Sequence, residues 1–353
     1  MVPGRLPARG DGTNIALCII RDTGLGRFSP GVIIVEVLDN FPQLRRRFLI
    51  IAFDWDGTAV ENRAADATEV AARIETLLKL GVPIVVITGT NFNNIDKQLS
   101  RLITGRHKRN LYILTNRGSE VFGFDENSAP VLLHRRTASI AEELLLTKVA
   151  QAVRDYVRYR RGPIIDIVYN RLNRRKIDMI PEPAWADPPK ARIGDLLNAT
   201  EHRLRTGGIY RGIKQLFDLT EKLSLQFGLK QARLTSDVKF IEVGLTDKAD
   251  SVAWVFGHLA PKVEAKAGDI LIAGDEFGPI GGFEGSDFRM VTPEATGSTF
   301  VSVGPEPAGV PPEVIHIGGG PATFERLLED QIEIHTQLAN DCSRRPSLMV
   351  SDS

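Results

Sequence analysis

The stretch "FDWDGT" at residues 53–58 places Asp54 and Asp56 two positions apart at the end of an apolar run, "FLIIA". On an extended backbone, residues i and i+2 point the same way, so the two carboxyl groups can share one small volume. Gly57 and Thr58 then turn the chain away. A second Asp-Gly-Thr at 11–13 has neither the apolar run nor the partner acid. A carboxylate at a strand end can attack phosphorus and form an aspartyl-phosphate. A neighbouring acid of raised proton affinity can protonate the leaving oxygen and then activate water. Two acids this close repel; a hard cation such as Mg²⁺ relieves that and neutralises phosphate charge.

Other apolar runs end in groups that suit the same chemistry. "VPIVVITGT" ends in Thr88 and Gly89, "LYILTN" in Asn116, and "ILIAGDE" in Asp275. Ligands of an open parallel sheet bind beyond the carboxyl ends of its strands, so these groups converge on one edge. Asp275 brings the further carboxylate a cation needs. Thr88 and the amides after it can donate to phosphoryl oxygens. Lys248, in "VGLTDKADS" where a helix begins, supplies a fixed positive charge. Loose phosphoryl transition states are stabilised mainly by such positioning and electrostatics. Plainer roles compete: Thr88 can cap a helix over "NFNNIDKQL", Lys239 in "SDVKF" rivals Lys248, and Asn116 either contacts substrate or orders a loop.

The elements that must hold these groups follow from pattern. The Val/Ile/Leu-rich runs suit parallel strands buried on both faces. Between the first two lies "DATEVAARIETLLKLG". There Asp66 and Glu69 have capping-box spacing, Val70, Ile74, Leu77 and Leu78 form one apolar face, and Gly81 can close the helix. Strand, helix, strand implies a right-handed parallel crossover. "STFVSVG", "VIHIGGG" and a helix opened by Pro321 continue the pattern. The middle differs: a long helix over "SIAEELLLTKVAQAVRDYVRYR", a hairpin of "PIIDIVYN" and "RRKIDMIP" around "RLN", two more helical stretches, then "ARLTSDVKFIEVGL".

The expected class is therefore α/β, with a Rossmann-like parallel-sheet core from residues 47–133 and 237–338 and an inserted α+β unit at 134–236. Residues 1–46 form an N-terminal extension to which the sequence assigns no role, although "SPGVIIVEVL" reads as a strand or accessory helix. Residues 339–353 read as a disordered polar tail. In the inserted unit, "NRLNRRK" gathers Arg171, Arg174, Arg175 and Lys176. Such a run is commonly a solvated face, but an arginine here can recognise a leaving-group hydroxyl, carboxylate or second phosphate.

Composition narrows the function classes. Lys plus Arg and Asp plus Glu both number 44, so no basic field for nucleic acid exists. The 353 residues are 42% hydrophobic and 25% charged, which is ordinary for a soluble globular protein. No apolar run reaches membrane-spanning length. Cys18 and Cys342 are the only cysteines, which excludes a disulfide framework or thiolate zinc site and fits a reducing cytoplasm. Nothing in the sequence sets the oligomeric state.

"FDWDGT", "VVITGT", "DKADSV" and "IAGDE" in this order resemble the four motifs of the haloacid dehalogenase-like (HAD) superfamily, and the inserted unit resembles the type 2 cap of its Cof-like sugar-phosphatase branch. The resemblance covers about residues 48–338. It implies Asp54 as nucleophile, Asp56 as general acid/base, and Mg²⁺ held by Asp54, the Asp56 carbonyl and Asp275. It further implies Thr88 and Lys248 as holders of the phosphoryl group, and phosphate chemistry rather than dehalogenation. The fourth motif departs from the pattern, because "EFGPIGGFEGSDFRM" follows Gly274-Asp275. Asp287 is the expected counterpart of the later metal-site acid, displaced by an insertion, with Glu276 as its rival. The implied activity is Mg²⁺-dependent hydrolysis of a small phosphorylated metabolite, most simply a sugar phosphate. A phosphomutase on the same core and a non-catalytic binding protein are the alternatives.

Overall fold

The computed structural model describes residues 40–186 and 192–344. The segment "SPGVIIVEVL" and the tail beyond residue 344 lie outside the described residues. The chain first lays down β1 (Ile50–Asp54), α1 (Thr68–Lys79), β2 (Ile84–Ile87), α2 (Phe92–Gln98), β3 (Leu111–Thr115), β4 (Glu120–Phe124) and β5 (Pro130–Arg135). It then forms α3 (Ile140–Tyr159), β6 (Asp166–Arg171), β7 (Arg174–Asp178), α4 (Ile193–Thr206), α5 (Gly212–Gln226), β8 (Arg233–Ser236) and β9 (Phe240–Gly244). It ends with α6 (Lys248–Trp254), β10 (Ile270–Gly274), β11 (Thr299–Ser302), β12 (Val314–His316) and α7 (Gly320–Arg344).

One sheet has the order β12-β11-β10-β1-β2-β3-β4-β5, parallel from β12 to β3. Its central strands are buried at every position, which is why they read as unbroken apolar runs. Alternation along β1 sends Ile51 and Phe53, with Trp55 just beyond, to a layer built by Val70, Ile74 and Leu77 of α1 and Phe324 and Leu328 of α7. Ile50 and Ala52 face the opposite layer, with Val252 of α6, Met290 and Phe300. Each such fully buried side chain contributes roughly 1.5–3 kcal/mol. Helices on both faces of a parallel sheet are the doubly wound arrangement expected from the sequence.

Several local expectations are corrected. The Asp66–Glu69 capping box does not form: Asp66 instead accepts from the Thr68 amide and hydroxyl, and Glu69 pairs with Arg73. Thr68 is itself a better partner for Asp66 than a residue one turn away. The antiparallel strands β4 and β5 extend the sheet beyond β3, and β5 is an exposed edge whose six residues carry no buried signal in the sequence. At the C-terminal end α7 continues past Leu338 to Arg344.

The second sheet has the order β6-β7-β9-β8 and is antiparallel throughout. Its strand β9 lies after residue 236, so the expected border of the inserted unit falls between its last two strands. Ile167, Ile177 and Ile241 pack under Val153, Leu204 and Leu216 of α3, α4 and α5. Period-2 alternation then sends Arg174, Lys176, Glu242 and Thr235 to the face without helices, which meets the core.

Both connections between the two sheets are pinned by Asn173, a fully buried residue with φ 57° in the β6–β7 turn. Its side chain accepts from Ala138 N (2.7 Å) and donates to Arg136 O (2.7 Å) and Ser119 Oγ (2.9 Å), and its carbonyl accepts from Leu245 N (3.0 Å). Asn173→Gly keeps the left-handed backbone while removing the three side-chain bonds, each worth about 1 kcal/mol. Tryptic cleavage at Arg135 and Arg136 is expected to accelerate at least roughly tenfold through local opening; an unchanged rate contradicts this role.

Candidate active site

The chain leaves β1 outward through β2 and β3, and later leaves β10 outward through β11 and β12, so β1 and β10 flank the switch point of the sheet. A crevice opens beyond the carboxyl ends of strands at such a point. The register Phe53↔Ala273 sets Asp54 and the turn after Gly274 side by side. Lys248 is the first residue of α6, whose start is fixed by Asp247 and Asp250 as a capping box. Its ammonium lies 2.8 Å from Asp54 Oδ1 and also contacts Asp287 Oδ1. Asp287 is fully buried, and its Oδ2 accepts from the amides of Asp275 (2.8 Å) and Glu276 (2.9 Å). The Thr58 hydroxyl donates to Asp275 Oδ1 at 3.1 Å.

Asp54, Asp275 and Asp287 thus each bring one carboxylate oxygen within 4.8 Å of the others, all buried. Three carboxylates and the one ammonium that touches two of them sum to two negative charges. The donors are hard oxygens and the deficit equals one divalent cation, so the cluster fits Mg²⁺ or a similar ion. Burial by itself would lower the Lys248 ammonium, but Asp287 and Asp54 hold it above its usual value of 10.5.

The structure brings together Asp54, Lys248, Asp275 and Asp287. Asp56 lies past the end of β1, in the turn closed by Gly57 N to Val60 O, and its Oδ2 is 3.5 Å from Arg63 Nε. Thr88 and Gly89 follow β2 directly, beside Asp54 in register Asp54↔Ile87. Asn91, not Thr88, caps α2. Lys239 is bound to Asp178 and the Ile180 carbonyl in the second sheet, which removes it as the rival of Lys248. Glu276 accepts from Ser286 and does not reach the cluster of three acids.

The remaining expectations fare differently. The Asn116 side-chain amide donates to Glu120 Oε2 at 2.6 Å, within the turn from β3 to β4. Arg174 is buried, not solvated, and donates to Glu242 (3.0 Å) and to the Asn116 carbonyl (2.8 Å). Arg171 ends β6 opposite Arg174, and no hydrogen bond or ion pair links it to the acids among the described residues. The insertion after Asp275 folds outward, and its Ile280 and Phe283 join the apolar cluster of the second sheet, with Phe283 5.0 Å from Phe217.

Sequence reasoning missed Arg117 and Glu242. Arg117 reaches from the core to Glu242 (3.3 Å) and Thr235 (3.0 Å), and Lys176 completes the set at 2.6 Å from Glu242. Burial would raise the Glu242 carboxyl, yet Arg117, Lys176 and Arg174 together drive it far below the usual carboxylate range. Burial pulls Arg174 down to about 10, and the nearby charge of Arg117 adds to the effect while Glu242 opposes it. The signal available for Glu242 was a single acid among the apolar residues of "FIEVG", and Arg117 carried none.

Removing the ammonium of Lys248 leaves Asp54 and Asp287 facing each other. Lys248→Met is expected to lose roughly 3 kcal/mol of stability, as for a broken buried pair. Because the folded-state value is raised, this contribution is complete below the ordinary pKa and is lost only as pH rises through the higher folded value. The gap between wild type and Lys248→Met in chemical denaturation should therefore be flat from pH 7 to 9 and narrow only above 10.5. A gap that closes below pH 9 contradicts the ion-pair assignment.

No protein-family model matches the chain, and no curated protein matches it. Solved structures of similar fold include the C-terminally truncated IMP-nucleotidase of Plasmodium falciparum, at 12% identity over 85% of this chain and 76% of that one, with a TM-score of 0.55. The N-terminally truncated, IMP-bound form of that protein gives 12% identity, 85% and 71% coverage, and a TM-score of 0.53. A trehalose-6-phosphate phosphatase of Aspergillus fumigatus gives 14% identity, 86% and 98% coverage, and a TM-score of 0.50. At these identities the likeness is one of fold: a parallel-rich core sheet with an inserted α+β unit.

Proposed function

We propose that the protein is a Mg²⁺-dependent phosphatase of the HAD type that hydrolyses a small phosphorylated metabolite, most simply a sugar phosphate. The observation that carries this is the buried cluster of Asp54, Asp275 and Asp287 with Lys248, set at the switch point of the sheet. The fold shared with proteins named IMP-nucleotidase and trehalose-6-phosphate phosphatase supports a phosphoric monoester as substrate.

In this reading Asp54 attacks phosphorus as the ester P–O bond breaks, and Asp56 gives its proton to the departing oxygen. Water then attacks the aspartyl-phosphate, Asp56 takes a proton from it, and the bond from phosphorus to Asp54 breaks to release inorganic phosphate. Thr88 and the Gly89 amide hold phosphoryl oxygens, and Lys248 keeps Asp54 oriented and adds positive charge. Asp54, the Asp56 carbonyl and Asp275 are the residues that would hold Mg²⁺, with Asp287 beside them in the acid cluster, and the ion would supply charge neutralisation of the phosphoryl group. Asp287, occupied by Lys248 and two amides, fixes the loop that carries Asp275.

Phosphate release from a panel of sugar phosphates and nucleoside monophosphates tests the proposal. Turnover is expected with Mg²⁺, none with EDTA, and a loss of at least roughly a thousandfold in kcat for Asp54→Asn. Turnover that survives EDTA or Asp54→Asn contradicts it, and an isomeric sugar phosphate in place of free phosphate would identify a mutase.

A further inference from the structure

The loop after β3 sits between three parts of the molecule. The amide of Asn116 donates to Thr90 O (2.8 Å) and that of Arg117 to Thr88 O (3.1 Å), so the loop is zipped to the Thr88-Gly89-Thr90 turn. Both residues hold positive φ, 51° and 53°, which is uncommon without glycine and marks a backbone imposed by its surroundings. Next to them Gly118, with φ 83°, lies so close to the start of α6 that a Cβ there would stand 2.7 Å from Asp247 O. The same short loop thus touches the Thr88 turn and the helix start that presents Lys248.

The Arg117 side chain lies across the Thr88 turn: a methyl on Gly89 would be 3.6 Å from its Nε. Its far end belongs to the second sheet, where Glu242 and Thr235 accept from it. Arg174 of that sheet returns the contact by donating to the Asn116 carbonyl. Glu242 cannot lose this partner cheaply, because a buried carboxylate costs several kcal/mol unless cations surround it. Burial would lower the Arg117 guanidinium, but the charges of Glu242, Asp237, Glu276 and Asp54 hold it above its usual value.

We propose that Arg117 is a positioning residue that couples the seating of the inserted unit on the core to the geometry of the Thr88–Thr90 phosphoryl turn. Seated on Glu242 and Thr235, Arg117 holds the turn in its binding form; when the inserted unit lifts, Arg117 loses its anchor and the turn loosens. Phosphoryl affinity thereby depends on a contact made outside the phosphoryl site. This rests on the reading of Thr88–Thr90 as the turn that holds the phosphoryl group.

The test is calorimetric binding of inorganic phosphate with Mg²⁺ to the full chain, paired with kcat/KM on a sugar phosphate. The variants are Arg117→Met, Arg117→Lys, Thr235→Val and Arg117→Met/Thr235→Val. A hydrogen bond involving a charged group is worth ~1.5–3 kcal/mol, so Arg117→Met should weaken phosphate binding on the order of 10- to 100-fold. Arg117→Lys should recover part of this. Thr235→Val removes only one acceptor for Arg117, far from the phosphoryl turn, and should still weaken phosphate binding by roughly threefold to tenfold. The losses in the double variant should not add. A folded Arg117→Met that binds phosphate within about twofold of wild type, or losses that add in the double variant, overturns the proposal. Wild type that binds phosphate in an Arg117-dependent way but turns over no ester overturns the phosphatase reading and supports this one.

Discussion

The structure depends on one buried ammonium held between two carboxylates. Lys248 bridges Asp54 at the end of β1 and Asp287 at the end of the insertion after β10. Removing three such charges from water is costly, and the contacts of one cation with two acids offset it only if every remaining oxygen is engaged. The fold meets part of that demand locally. The Asp287 oxygen that does not face Lys248 takes two backbone amides, and Asp275 takes the Thr58 hydroxyl. Close packing leaves no latitude in the backbone here, since a Cβ on Gly304 would stand 1.9 Å from the Asp275 carbonyl.

That constraint explains why strand ends carry the chemistry. Asp54 and Asp275 can approach because β1 and β10 are parallel neighbours whose connections diverge at that point. Lys248 can reach both acids because the Asp247 capping box fixes the first turn of α6 against the loop at Gly118. The insertion between Asp275 and Asp287 is not a passive excursion. Its base is tied by Glu306 to the amides of Phe277 (2.7 Å) and Gly278 (2.6 Å), while Ile280 and Phe283 pack in the second sheet's apolar cluster. The acid cluster and the inserted unit therefore share a loop as well as the Arg117–Glu242 contact.

The legible part of this was local in sequence. An apolar run that ends in an acid, or a lysine where a helix begins, can be read without knowing what packs where, whereas acid spacing alone misplaced a capping box at Asp66 and Glu69. That is why Asp54, Lys248 and Asp275 stood out and why the parallel strands were placed. Asp287 could be named as an acid, but not its service to two amides, which depends on how the chain from Asp275 to Asp287 folds back. Arg117 and Glu242 are 125 residues apart and meet across two sheets, so neither segment betrays the other. The charged run at 174–176 was misleading in isolation: alternation sends Arg174 to Glu242, whereas Arg175 turns to Thr147 and Glu143 under α3. The strand β5 escaped because an exposed edge strand lacks the apolar periodicity by which buried ones are recognised, whereas β4 is buried and its short run "EVFGF" was passed over.

The central claim is that Asp54 takes the phosphoryl group. Mixing the protein with a reactive phosphoryl donor such as acetyl phosphate, quenching, reducing with borohydride and mapping peptides by mass spectrometry reads this directly, because reduction converts an aspartyl-phosphate to homoserine. The account predicts homoserine at position 54 of the "FDWDGT" peptide, formed only with Mg²⁺ present. An unmodified Asp54, or a mark at Asp56 in its place, would contradict it.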